Sequence, residues 1–281
     1  VFFHIKELQY DAAPERPDPV YAKKLQEILG GHYGEMTVAM QYLFQGLNSR
    51  ADKKYRDLLL DTATEELAHV EMLVTMIARL LDDAPVDVQE EAAKDPLVEA
   101  ALGGRNPQHV IVSGLGALPA DSAGNFWSGS YVGASGNLLA DFRDNLTKES
   151  HGRLQAVRLY ELSDDSGVKD MLSFLIARDT MHQNQWIAAI SEIEQRECDL
   201  VVPATFPRSL EKQEVSYDFY NFSRGEESKK GRWANGPSMD GKGLFNYVAS
   251  PPAYGPKPFL FPAPLPVHDT IPMVHPKPSK I

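Results

Sequence analysis

Four long stretches of this chain carry helical periodicity, and each sets ionisable residues in the middle of its apolar stripe. That combination restricts the fold more than any other feature. An apolar stripe packs against other helices, so the charged groups within it are carried inward. A buried charge is costly unless it is paired or bound to metal. The second stretch, about residues 52–81, shows the pattern most clearly. Glu66 and His69 lie three residues apart, one turn of helix, so both sit on one face. Leu59, Thr62, Leu73, Met76 and Leu80 occupy that face above and below them. Taken alone, the pair equally fits a surface glutamate beside a buried, hydrogen-bonded histidine.

The other stretches repeat the theme. The first covers about residues 19–48, with Asp18-Pro19 as an N-cap followed by proline at the first helical position. Its stripe runs Leu25, Ile28, His32, Glu35, Ala39, Tyr42 and Gly46. Gly30, Gly31 and Gly34 each lower helix propensity by up to about 1 kcal/mol and leave room for a close neighbour. The third, about residues 137–162, carries Leu139, Phe142, Leu146, Glu149, Arg153, Ala156 and Tyr160. The fourth, about residues 168–197, carries Leu172, Leu175, Asp179, His182, Trp186, Ala189 and Ile193.

The connections set the topology. Only a short turn at 163–167 separates the third helix from the fourth, which predicts antiparallel neighbours. The segment 83–135 between the second and third is rich in Pro and Gly, with short helical pieces expected near 87–94 and 96–102. A connection of that length marks a crossover or a functional loop. Its glycine-rich end, residues 129–136, lacks the order of a nucleotide-binding loop and reads as a tight connection. The chain thus divides into a helical bundle at 1–200, including an extended lead-in, and a mostly non-helical segment at 201–281. Half of the 20 prolines fall in the last 31 residues. With Phe259, Leu260, Phe261, Leu265, Val267 and Ile271 among them, that tail is expected to lie extended along a surface, such as a neighbouring subunit.

Composition narrows the chemistry. The net charge of −11 argues against a nucleic-acid partner. A single cysteine, Cys198, excludes an intrachain disulfide and any multi-cysteine metal site, so a metal here must be held by His, Asp and Glu. No apolar run approaches a membrane span, and residues 1–10 are too charged for a signal peptide. A cytoplasmic protein with no membrane partner is expected. Glu35, Glu66 with His69, Glu149, and Asp179 with His182 then stand out together. One Glu from each of two helices and an acid-x-x-His from each of two others form the ligand set of a dinuclear carboxylate site. Four facing carboxylates repel one another in a dry core, and two divalent cations neutralise them. Such oxygen-rich donors with imidazole suit manganese or iron.

The local motifs are specific. Gly30-Gly31-His32-Tyr33-Gly34-Glu35, the run from Leu58 to Met72, Ser135-Gly136-Asn137-Leu138 and Ala177-Arg178-Asp179-Thr180-Met181-His182-Gln183 together resemble the non-haem manganese catalases, over about residues 1–225. The resemblance implies an all-α, ferritin-like four-helix bundle with a long crossover, assembled as a homo-oligomer, a hexamer in this family. It implies disproportionation of hydrogen peroxide to water and dioxygen at two manganese ions cycling between +2 and +3. Glu35, Glu66, His69, Glu149 and His182 would bind them, with Glu66 bridging. Asp179 stands where the family usually has Glu, and Lys148 where some members have Arg. Both would act near the metals without binding them. Tyr42 matches a tyrosine that hydrogen-bonds the cluster carboxylates. A calcium site is implied at Asp57 and Asp61, completed by Asn221, Ser223 and Gly225. Arg224 replaces an acid that some relatives have there.

The remaining histidines carry plainer expectations. His32, on the inward stripe, has a possible place beside the cluster, while His151 faces away. His4, His109, His268 and His275 read as structural or exposed, and Cys198 as inert packing. Two rivals share the bundle: a di-iron oxidase or oxygenase, and a coat or assembly protein that retains the fold.

Overall fold

The helical half begins at Asp18, whose Oδ1 accepts a hydrogen bond from Tyr21 N at 2.8 Å and caps α1 (Pro19–Gly30). In this computed structural model the structure describes residues 3–82, 112–196, 206–259 and 261. The stretches 87–94 and 96–102, His109, Cys198, His268, His275 and most of the proline-rich tail lie outside them. Four further helices follow in the described residues: α2 (Glu35–Asn48), α3 (Lys53–Leu81), α4 (Leu138–Leu162) and α5 (Ser166–Arg196). None is long and apolar enough to cross a membrane.

The single helix expected over 19–48 is two. The chain leaves α1 at Gly31, in an extended conformation with ψ 174°, and re-enters a helix after Gly34. Gly30, the last residue of α1, lies at a close approach. A Cβ on Gly30 would lie 2.5 Å from the backbone N and O of Ala120. Gln26 holds that loop, its Nε2 donating to Leu118 O and Ala120 O at 2.6 and 2.7 Å. The break makes Glu35 the first residue of α2, at the positive end of its helix dipole. It also turns His32 outward. His32 is exposed rather than inward, its ring set edge-on against Tyr33 and Tyr131.

The helices run in four columns: α1 continued by α2, then α3, α4 and α5. The buried apolar residues form two separate clusters. One gathers Leu25, Leu29, Leu73, Met76, Leu80, Leu159, Met171 and Leu172. The other gathers Val38, Tyr42, Leu59, Phe142, Trp186 and Ile193. Each column passes from one cluster to the other, and the residues between them are the ionisable ones. On α3 these are Glu66 and His69, between Leu59 and Leu73. On α5 they are Asp179 and His182, between Leu172 and Trp186. The order of the clusters along each helix makes α3 antiparallel to α1–α2 and to α5, and α4 antiparallel to α5. Hence α3 and α4 run the same way.

Two compact units divide the chain, Val1–Pro203 and Ala204–Ile281. The second unit holds a small sheet that the sequence pattern does not announce. Strand β1 (Asp218–Tyr220) pairs parallel with β3 (Leu244–Val248), and β2 (Gly236–Pro237) pairs antiparallel with β3. Asp240 ties its ends, accepting from Arg208 Nη1 at 2.8 Å and Tyr217 Oη at 2.9 Å.

Candidate metal centre

Between the two apolar clusters, Glu35, Glu66, His69, Glu149 and His182 converge. All five are buried, none more than 8% exposed. They form two overlapping triads, Glu35–Glu66–His69 and Glu66–Glu149–His182, with ligand atoms within 4.8 Å of one another in each. Glu66 belongs to both. One of its oxygens serves each histidine: Oε2 lies 2.7 Å from His69 Nδ1 and Oε1 lies 2.8 Å from His182 Nδ1. The two outer glutamates are placed alike. Glu35 Oε2 is 3.6 Å from His69 Nδ1, and Glu149 Oε1 is 3.6 Å from His182 Nδ1.

On the His182 side the arrangement fits a cation better than a hydrogen bond, whereas His69 Nδ1 and Glu66 Oε2 are hydrogen-bonded at 2.7 Å. Glu66 Oε1 and His182 Nδ1 approach to 2.8 Å, yet neither has a correctly aligned hydrogen-bond partner. Buried polar atoms without partners are uncommon. Close approach without alignment is what two lone pairs aimed at a common third atom produce. The proton balance agrees. Burial, then the charge of Glu66, pushes the Glu35 carboxyl up to about 8. Burial and Glu66 likewise raise Glu149. For both histidines burial favours the neutral ring, but the charge of Glu66 and contacts to the other glutamates outweigh it and raise their pKa. Burial would raise Glu66 as well, but the two imidazoles facing it hold it well below the usual carboxylate range. Protons therefore neutralise the metal-free cluster, and a cation that displaces them occupies a site already built for positive charge. Three carboxylates and two imidazoles are donors suited to manganese or iron.

Comparison with known proteins favours manganese. The sequence model of the manganese-containing catalases matches residues 1–280. The chain belongs to the manganese catalase family. It is 62% identical over 272 residues to a manganese catalase of Bacillus subtilis (strain 168), covering 97% of this chain and 99% of that relative. It is 64% identical over 273 residues to the protein YjqC of the same strain, covering 97% and 98%. Among solved structures, the manganese catalase KatB of Anabaena superposes with a TM-score of 0.69 at 28% identity, covering 89% of this chain and all of that one, 100%.

Of the other residues singled out from the sequence, Tyr42 and Asp179 meet this manganese catalase centre. Tyr42, fully buried, donates its hydroxyl to Glu149 Oε1 at 2.5 Å. Its ring packs on Trp186, 5.0 Å between centroids. Asp179 is buried and belongs to neither triad. Burial, then the charges of Glu35, Glu149 and Glu66, raise its pKa well above the usual range. Lys148 is buried too, with its Nζ 3.6 Å from Asp144 Oδ1. Of the residues expected to hold calcium, Asp57 and Asp61 are exposed on α3, and Asp57 pairs with Lys53 at 3.8 Å. In the second unit Asn221 Oδ1 accepts from Ser223 N at 3.3 Å, and Gly225 has φ +100°.

One participant was not anticipated. Glu65 approaches the outer nitrogens of both rings, with Oε2 3.1 Å from His182 Nε2 and Oε1 3.8 Å from His69 Nε2. Its place was visible in principle. It lies four residues before His69, one turn away on the same flank of α3.

Proposed function

We propose that this chain disproportionates hydrogen peroxide to water and dioxygen at two manganese ions per chain, one in each triad, bridged by Glu66. The observation that carries this reading is the pair of buried triads sharing one carboxylate between two apolar layers. A manganese pair cycling between +2 and +3 supplies the two-electron capacity of each half-reaction. The chain's own part is to hold the ligands, exclude water and move protons. Tyr42 fixes Glu149 through its hydroxyl. Asp179, buried and with its pKa raised in the metal-free protein, would exchange protons with peroxide. Lys148, held by Asp144, contributes positive charge beside the cluster.

The test is manganese and iron content per chain on the purified protein, with oxygen evolution from peroxide. Two manganese per chain with oxygen release is expected. A fully manganese-loaded protein that evolves no oxygen contradicts the reading, and an iron-loaded, oxygen-consuming protein favours the di-iron alternative.

The same proposal includes a cytoplasmic, homo-oligomeric protein, hexameric as the resemblance implies. Exposed apolar side chains on two neighbouring helices support assembly: Phe44 and Leu47 on α2, Leu67 and Val74 on α3. Sedimentation tests it, and a monomer at micromolar concentration contradicts it. Calcium binding at Asp57 and Asp61, as the resemblance implies, is part of the same proposal. A melting temperature unchanged by a calcium chelator contradicts that assignment.

A further inference from the structure

A ligating imidazole has two nitrogens, and what the outer one touches decides which one binds. In this chain the inner nitrogen of both rings is Nδ1, the atom facing Glu66. The outer Nε2 atoms both turn toward Glu65. Glu65 is itself tightly held. Arg178 donates through Nε to Oε1 at 2.6 Å and through Nη2 to Oε2 at 3.2 Å. Gln9, from the lead-in that crosses this side of the bundle, donates through Nε2 to Oε1 at 2.8 Å. Beyond them an open cleft of about 700 Å³, lined by Gln9, Asp61, Thr64, Glu65, Phe174 and Arg178, reaches solvent.

We propose that Glu65, clamped by Arg178 and Gln9, is the positioning residue that accepts the outer ring N–H of His182, so that the Nδ1 lone pair of this ring faces the metal pair. This rests on the ligand assignment above and adds the device that orients one of its imidazoles. The clamp has two consequences. A carboxylate at the foot of a wet cleft would otherwise turn to water, and the bidentate guanidinium holds it toward the ring instead. His182 sits on α5 and Glu65 on α3, so their contact fixes that ring relative to Glu66, the next residue on α3. Only the 3.1 Å contact to His182 is a hydrogen bond; His69 Nε2 stands 3.8 Å from Glu65 Oε1 without one, so the metal position served by His182 is the one that depends on Glu65. Glu65 is no ligand itself, because it lies on the opposite side of both rings from Glu66.

The experiment loads full-length protein with manganese and compares wild type with Glu65→Gln, Glu65→Leu, Arg178→Lys and Arg178→Met. Manganese affinity is read by chelator competition, and the electronic coupling of the pair by electron paramagnetic resonance. At saturating manganese, Glu65→Gln is expected to keep the wild-type metal count, to lose about 10- to 100-fold in affinity, and to show an altered spectrum. Glu65→Leu, which offers no acceptor, falls further, and Arg178→Lys recovers part of what Arg178→Met loses. Wild-type affinity and spectrum in Glu65→Gln overturn the proposal. If the Glu65 variants fail to fold, unchanged affinity and spectrum in Arg178→Met overturn it instead. A Glu66→Gln control separates the two claims. If Glu66→Gln binds manganese like wild type, the ligand assignment has failed and this inference falls with it. If Glu66→Gln loses metal while the Glu65 and Arg178 variants behave as wild type, only the present proposal has failed.

Discussion

Replacing Tyr42 by Phe removes one oxygen atom and nothing else from the centre. Tyr42 and Glu149 are both buried, and their O–H···O contact is 2.5 Å. A hydrogen bond to a charged group contributes about 1.5–3 kcal/mol. In the metal-free protein Glu149 is pushed toward its neutral form, chiefly by burial and then by Glu66, while the Tyr42 hydroxyl counters that shift. With metal bound the carboxylate must be ionised. The hydroxyl therefore stabilises the loaded state more than the empty one, and most of its contribution appears as metal affinity. At about 1.4 kcal/mol per tenfold, Tyr42→Phe should weaken manganese binding roughly 10- to 100-fold. The ring keeps its packing on Trp186, so the helical signal should not change. Chelator competition at fixed pH measures the effect. An unchanged manganese dissociation constant would refute the claim that this hydroxyl holds a metal-bound carboxylate.

Other perturbations probe different parts of the account. Asp179→Asn mimics the protonated acid favoured by burial and by the neighbouring carboxylates; manganese content should hold while turnover falls about 10²- to 10⁴-fold, and parallel loss of metal would make Asp179 a ligand. Manganese affinity should rise with pH through about 8, where Glu35 gives up its proton. The sign follows from competition: Glu35, Glu149 and both histidines retain protons that a cation must expel, so acid opposes loading, and a flat profile from titrations at several pH values contradicts it. Gly30→Ala improves intrinsic helix propensity by about 1 kcal/mol but sets a Cβ 2.5 Å from the Ala120 backbone. The melting temperature should therefore fall, and a rise would mean that the loop yields freely.

The ligand set was legible because each acid or histidine interrupts an apolar stripe at helical spacing, a signal contained within single helices. What escaped depends on partners distant in sequence. Gly30 answers to Ala120, some ninety residues away, and three glycines alone do not say whether a helix bends or ends. His32 was placed on the inward stripe only because that helix was drawn through the break. Glu65 looked like one more charge on a charged helix until Arg178 and the imidazole edges came beside it. Asn145, whose Oδ1 accepts from Gln41 and Gln45, is buried by a closed amide network in which each side chain explains the others. The sheet at 218–248 rests on pairing across a loop, which local periodicity does not encode.

The central claim is that Glu66 joins two manganese ions in one buried site. Electron paramagnetic resonance of the manganese(II)-loaded protein, with metal counted on the same sample, tests it most directly. Two manganese per chain with the broad, exchange-coupled signal of a bridged pair is the predicted result. It should disappear in Glu66→Gln, where at most isolated ions remain. A simple sextet from uncoupled manganese(II) in the wild-type protein, at one ion per chain, would contradict it.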